Sequence, residues 1–199
     1  MHQLALPISP APEPSLDNFV AGANTELLAR LRQLCAGQLA ESVLYLWGAP
    51  GSGRTHLLRA CAHAAAHTAD DVETLDEGAQ LALLRAVDEA RAQGGTVLAA
   101  GASPPARLPL RPELKSRLAW GLVYEVKPLD DAGRAAYLRA QAARRGLRLG
   151  DDVIGYLLAH VRRDLPSLLA RMEQLDRASL ERKRPLTVAL AREVLGDTG

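Results

Sequence analysis

The chain has 199 residues, of which 48% are hydrophobic, 4% aromatic and 24% charged, with a formal net charge of +1. That hydrophobic share supports a real core, and the length fits one domain or one domain plus a small subdomain, which excludes wholesale disorder. The near-neutral charge leaves no electrostatic footprint for nucleic acid, and the basic residues are nearly all Arg, with Lys only at Lys115, Lys127 and Lys183.

Residues 1–16 hold four prolines among a few apolar residues without a period, which predicts an extended tail. This start lacks the basic-then-apolar order of a signal peptide, and no apolar run reaches membrane-spanning length, so a cytoplasmic protein is expected. Asn24 or Thr25 can cap a helix that places Leu27, Leu28, Leu31 and Leu34 on one face. Val43–Trp47 is a continuous apolar run of the kind buried on both sides in a parallel sheet. A Gly-rich loop follows, then a predicted helix from Arg54 to Ala66. A second helix is predicted from Asp76 to Arg91, with Ala79, Leu83, Val87 and Ala90 on one stripe, and a second strand over 96–100. After a Pro-rich loop (103–112) come a short helix (113–119) and a third strand (122–126). Beyond Asp130 the pattern is helical only, roughly over 130–145, 151–162, 166–182 and 187–196, with Pro166 in a first turn. Strands alternating with helices and then helices alone predict an α/β base, 17–129, followed by a helical lid, 130–199.

Cys35 and Cys61 are two isolated cysteines in helical patterns and read as buried free thiols. His63 and His67 are four apart on the predicted helix but lack a third ligand for zinc, and His2, His56 and His160 add no constellation.

The loop Gly48-Ala49-Pro50-Gly51-Ser52-Gly53-Arg54-Thr55 fits a phosphate-binding loop at Gly48, Gly53 and Thr55, between a buried strand and a helix. Glycines let the backbone curl its N–H groups around phosphate oxygens, and the helix adds its positive end. Thr55 is expected to place its hydroxyl on magnesium. Arg54 stands where the pattern has lysine; its planar fork is bulkier than an ammonium, so diphosphate binding should survive better than efficient hydrolysis.

Several segments resemble, in order, the AAA+ domain of the bacterial initiator DnaA and within it the Hda-type regulators. Phe19-Val20-Ala21-Gly22-Ala23-Asn24 is similar to the box that holds adenine in DnaA. Leu44–Gly48 running into Gly53-Arg54-Thr55-His56-Leu57-Leu58 looks like the Hda version of the loop. Ser103-Pro104-Pro105 and Leu114–Gly121 resemble the run R-P-P…L-x-S-R-L-x-W-G, and Leu175–Ser179 resembles the end of the Hda lid. Gln3-Leu4-Ala5-Leu6-Pro7 looks like the peptide by which Hda docks on the DNA sliding clamp, an extended segment whose leucines fill an apolar pocket.

The resemblance implies an AAA+ fold with a parallel sheet and a helical lid. It implies nucleotide contacts from Phe19, Val20, Gly22, Asn24, the loop residues Gly48, Gly51, Ser52, Gly53, Arg54 and Thr55, His56, and the lid residue Arg163, with Arg162 competing. Asp70, followed by Asp71, takes the place of the magnesium-side carboxylate. Ala64–Ala69 is poor strand material, so a solvated acidic turn is the plainer reading at Asp70-Asp71. Only fourteen residues separate Thr55 from Asp70 and a helix uses most of them, so the strand and helix that the family places between loop and carboxylate, the strand lying at the sheet edge, are expected to be missing. The first sensor looks degraded to Gly101, Ala102 and Ser103, which argues against fast intrinsic hydrolysis. Arg117 matches an arginine finger that acts on a nucleotide held by a neighbouring subunit, against a surface salt bridge as the plainer reading.

The implied role is negative regulation of DNA replication initiation: an ADP-bound inhibitor that docks on the clamp through Gln3, Leu4, Leu6 and Pro7 and promotes hydrolysis of DnaA-bound ATP. Direct duplex recognition is not expected, and a homo-oligomer is open. The alternatives are a self-contained ATPase of the DnaA or helicase-loader type, and a nucleotide-independent adaptor between clamp and DnaA.

Overall fold

The structure is a computed structural model that describes residues 13–196. The first apolar run forms β1 (Val43–Trp47), which is central to a four-stranded parallel sheet. It pairs with β3 (Val97–Gly101) on one side and β4 (Leu122–Glu125) on the other, with Val43 opposite Val97 and Leu44 opposite Leu122. The fourth strand, β2 (His67–Ala69), lies outside β3 with His67 opposite Val97, giving the order β2-β3-β1-β4.

Alternation along the strands sorts the side chains into two cores. Leu44, Leu46, Leu98 and Ala100 face α1 (Thr25–Cys35) and α2 (Arg54–Cys61), which contribute Leu27, Leu28, Leu31, Leu34, Leu57 and Leu58. Val43, Tyr45, Val97 and Ala99 face α3 (Glu77–Gln93) and α4 (Pro112–Leu118), which contribute Leu83, Val87, Leu114 and Leu118. Helices thus cover both faces, as a parallel sheet requires.

The lid has its own core, built by α5 (Asp131–Arg144), α6 (Asp151–His160), α7 (Leu165–Arg182) and α8 (Val188–Leu195) around Leu138, Ile154, Leu157, Leu168 and Met172. Asp130, Asp164 and Thr187 cap α5, α7 and α8 by accepting the backbone N–H three residues on, and Pro166 sits in the first turn of α7.

Four expectations change. The helix after the loop stops at Cys61, not Ala66, because the Ala66 N–H is drawn to the Thr96 carbonyl at 2.9 Å, and sheet pairing overrides the helix preference of an Ala run. The segment judged poor strand material therefore pairs after all, over three residues. His63 and His67 consequently do not share a helix. The tail is anchored at its end: Leu16 packs on the first core, and the Ser15 carbonyl lies 2.9 Å from His56 Nε2. Among the described residues, no helix is long and apolar enough to cross a membrane.

Candidate functional site

The loop after β1 lies at the carboxyl end of the central strand, where open α/β sheets place their ligands. Gly48 runs so close to the sheet that a Cβ there would sit 2.6 Å from the Val126 carbonyl oxygen. Gly51 and Gly53 hold left-handed backbone at φ +79° and +101°, which L side chains adopt only with strain. At Gly53 a Cβ would also come within 2.6 Å of the Phe19 ring.

Two polar groups in this curl are buried and unpartnered: the Ser52 hydroxyl and Nη1 of Arg54. The Arg54 side chain is only 10% exposed, and its Nη2 stands 3.5 Å from the Asp71 carboxylate. Buried donors without acceptors are costly. A ligand oxyanion at the start of α2 would satisfy both and meet the helix's positive end. The chemistry of these donors therefore fits a phosphate group. Thr55 follows, partly exposed, as the second residue of α2.

A cavity of about 500 Å³ opens between the segment 17–23 and the lid helix α5, lined by Phe19, Val20, Gly22, Gly133, Ala136 and Tyr137. Gly22 turns at φ +49°, where a Cβ would press on Leu129 at 2.8 Å. Phe19 also leans on His56, with ring centroids 5.7 Å apart, so one ring joins the cavity to the loop. Burial pushes the Tyr137 phenol above its ordinary pKa and keeps it a neutral hydroxyl. Asn24 behaves otherwise than expected. Its side chain does not cap α1; the buried amide donates to the Lys127 carbonyl and accepts from the Lys127 N–H, both at 2.8 Å. It ties the start of α1 to the chain leaving β4, and it is not among the residues lining the cavity.

Asp70 follows β2 and accepts the Asp71 N–H at 2.9 Å, while Asp71 turns into left-handed backbone toward Arg54. Among the described residues no three His, Cys, Asp or Glu side chains cluster as a metal cage. Magnesium does not need one, since it binds through one or two protein oxygens, waters and phosphates.

At the end of β3 the backbone is occupied. The Ala102 N–H donates to the Glu73 carboxylate at 3.1 Å, and the Ser103 carbonyl accepts from the Tyr45 hydroxyl at 2.8 Å. Burial, reinforced by the charge of Glu73, raises the Tyr45 phenol and keeps it a neutral donor. Neither partner was legible in the sequence. Tyr45 reads there as one more apolar strand residue, and Glu73 as a solvated acid.

From the lid, Asp164 abuts the loop: a Cβ at Gly51 would lie 3.0 Å from its Cβ. Burial disfavours the charged form of Asp164, but hydrogen bonds from the Ser167 side chain and N–H, with Arg162 nearby, outweigh it and hold its carboxyl below the usual range. Arg163 is exposed, 3.9 Å from Asp131, and its carbonyl accepts from Arg134. Arg162 is more exposed still and pairs with Asp164 at 3.4 Å. The two candidate arginines thus immediately precede the cap that touches the loop.

Arg117 lies away from this cluster, on α4. Its Nε donates to Asp88 of α3 at 2.7 Å, and its guanidinium stacks 3.9 Å from the ring centroid of Trp120. Arg91 approaches the same indole at 4.5 Å, and Trp120 is 45% exposed. The hydrogen bond uses the inner edge of the guanidinium, so its two terminal nitrogens are left for an outside acceptor. Asp88 lies 29 residues away in sequence, and nothing in its local pattern signals this pairing. Gln3, Leu4, Leu6 and Pro7 lie outside the described residues.

The family described as Hda, lid domain, matches residues 131–195, which span all four lid helices. An uncharacterized protein of Haemophilus influenzae is 30% identical over 227 aligned positions, covering 97% of this chain and 98% of its own. Domain III of the replication initiation protein DnaA from Thermotoga maritima superposes with a TM-score of 0.76 at 19% identity, over 95% of this chain and 98% of that one. AMPPCP-bound DnaA from Aquifex aeolicus superposes with a TM-score of 0.71 at 19% identity, over 87% of this chain and 69% of that one. At such identities the likeness to the solved structures establishes the AAA+ fold they share.

Proposed function

This chain belongs to the Hda-type family of DnaA-related AAA+ regulators, and we propose that it inactivates the initiator DnaA by promoting hydrolysis of DnaA-bound ATP. The observation that carries this reading is Arg117: a partly exposed arginine held through Nε by Asp88 and on its face by Trp120, which leaves its two terminal nitrogens outside that hydrogen bond. An arginine so restrained can be offered to a nucleotide on another chain with little ordering cost, and such a finger is worth about 10³–10⁵ in rate.

In this reading the chain's own nucleotide is ADP. Ser52 and Arg54 would hold its phosphates, Phe19 and Val20 its base, and Arg163 or Arg162 would reach in from the lid. Thr55 and Asp70 would share a magnesium ion, which supplies charge neutralisation at the phosphates. Asp164 beside Gly51 supports the diphosphate, because a carboxylate at the loop opposes each added negative charge. The occupied backbone at Ala102 and Ser103 supports weak intrinsic turnover. Gln3, Leu4, Leu6 and Pro7 would dock the chain on the sliding clamp and so bring Arg117 to DnaA.

The test is turnover of DnaA-bound ATP in the presence of clamp-loaded DNA, comparing the unaltered chain with Arg117→Ala. The expected result is loss of stimulation in the variant with ADP binding intact. Equal stimulation by both chains would overturn the proposal. Appreciable ATP hydrolysis by the purified chain, lost on Asp70→Asn, would favour a self-contained ATPase instead.

A further inference from the structure

The two cysteines that read as isolated in sequence meet in the fold. Cys35 is the last residue of α1 and Cys61 the last of α2, and their sulfurs are 3.5 Å apart. The contact follows from helix packing: Leu31 and Leu34 of α1 share one core with Leu57 and Leu58 of α2, which aligns the two C-terminal ends. A disulfide needs its sulfurs about 2.05 Å apart, so closure asks for a movement of roughly 1.5 Å at two helix ends. Helix ends are where the backbone yields most readily. Cys35 opens onto the exposed residues Ala36, Gly37 and Gln38, whereas Cys61 is fully buried.

We propose that Cys35 and Cys61 are an oxidation site, a dithiol that a small disulfide such as oxidised glutathione converts to an intramolecular disulfide joining α1 to α2. The asymmetry of exposure sets the order of events. Cys35, as thiolate, attacks one sulfur of the small disulfide; a mixed disulfide forms on Cys35 and the first glutathione thiolate leaves. Cys61 then loses its proton and attacks the Cys35 sulfur, expelling the second glutathione. Two protons and two electrons leave the protein, and one small disulfide becomes two thiols. Burial pushes the Cys61 thiol up to about 12, with the hydrogen bond from Cys35 adding to it, so Cys61 acts only as the resolving partner and never as the first target.

The consequence bears on the loop. α2 begins at Arg54 and α1 begins directly after the box ending at Asn24, so the bridge pins the far ends of the two helices whose near ends frame the candidate site. In a reducing cytoplasm the pair stays as thiols, and the bridge forms only when the thiol pool is oxidised. The inference stands independently of the proposed role toward DnaA.

The test treats the purified full chain with oxidised glutathione, alkylates remaining thiols and analyses the peptides by mass spectrometry. The expected product is a single chain lighter by two hydrogens, with Cys35 and Cys61 peptides linked and no glutathione retained. In Cys61→Ala, glutathione remains on Cys35; in Cys35→Ala, Cys61 stays a free thiol. Because a cavity at Cys61 can impair folding, the unaltered chain supplies a second reading: its thermal midpoint rises on oxidation and returns with dithiothreitol. Full alkylation of both cysteines after oxidation, glutathione retained on Cys35 of the unaltered chain, or a disulfide between two chains would each overturn the proposal.

Discussion

Replacing Arg54 by methionine tests the reading of the loop, because it is predicted to move stability and ligand affinity in opposite directions. In the ligand-free chain Arg54 buries a guanidinium nitrogen with no partner, and an unmade hydrogen bond of that kind costs about 1–3 kcal/mol. The variant also gives up the 3.5 Å approach to Asp71, whose side chain is 55% exposed; a pair so open to water contributes at most about 1 kcal/mol. Methionine keeps a long apolar stem in the same space. The net expectation without nucleotide is a gain of about 1 kcal/mol, or a rise of roughly 2–4 °C in melting midpoint for a chain of this size. With ADP the sign reverses. Charged hydrogen bonds contribute about 1.5–3 kcal/mol, so affinity should fall roughly 10- to 100-fold. Thermal melts with and without ADP, together with calorimetric titration, measure both quantities on one sample. If Arg54→Met lowers the midpoint of the ligand-free chain and leaves ADP affinity unchanged, the orphaned guanidinium is not a phosphate ligand and the reasoning fails.

Gly53→Ala is expected to cost about 1–2 kcal/mol for the left-handed backbone alone and at least ~1 kcal/mol more for displacing Phe19. Gly37→Ala, at φ +66° with nothing within 4 Å, is the control that should lose only the backbone part in urea melts. Asn24→Ala leaves both backbone groups of Lys127 unpaired, and chemical denaturation should find a loss of about 2–4 kcal/mol even without nucleotide; unchanged stability with weakened ADP binding would assign Asn24 to the ligand instead. Asp88→Ala should lower the stimulated turnover at the partner's site severalfold, leave the chain's stability within about 0.5 kcal/mol, and be rescued in part by Asp88→Glu. Asp164 has a lowered carboxyl pKa, so its capping of α7 is whole above about pH 4 and fades as pH falls through the lowered value. Asp164→Ala should therefore cost about 1 kcal/mol at pH 7 and progressively less as the pH falls through the lowered value, as urea melts across the acid range would register.

Elements with strong local signals were legible in advance. Val43–Trp47 is apolar throughout, and the lid helices carry their caps and periodicity in the chain itself, down to Pro166 in a first turn. β2 was not legible, because three residues reading His-Thr-Ala carry no strand signal; the pairing is imposed by β3, whose outer edge would otherwise be bare. The same holds at the site. Glycines at 48, 51 and 53 mark the loop in the sequence because its backbone geometry demands them locally. Partners that belong to other elements announce nothing. Asp88 for Arg117, Glu73 for Ala102, Tyr45 for Ser103, Lys127 for Asn24 and Cys61 for Cys35 are all brought together by packing across 26 to 103 residues of chain. The motif carries the expectation of what a side chain would do to a ligand; what holds that side chain in place is carried by packing between distant segments.

These holding partners divide the chain's polar groups into two sets. Around the loop, Asp70 is engaged with the Asp71 N–H, Asp71 with Arg54, Glu73 with Ala102 and Tyr45 with Ser103. A site that hydrolyses its own nucleotide needs a carboxylate and a sensor group at the terminal phosphate; here the Glu73 carboxylate and the Tyr45 hydroxyl near the end of β3 are turned to internal backbone partners. The buried donors without internal partners are the Ser52 hydroxyl and Nη1 of Arg54, which suit a resident phosphate that orders the loop. Arg117 is the reverse case. Asp88 takes Nε and Trp120 covers one face, while the side chain stays partly exposed and its terminal nitrogens lie outside that hydrogen bond. That division favours a bound nucleotide the chain keeps over one it consumes, with the chemistry carried out in a partner's site.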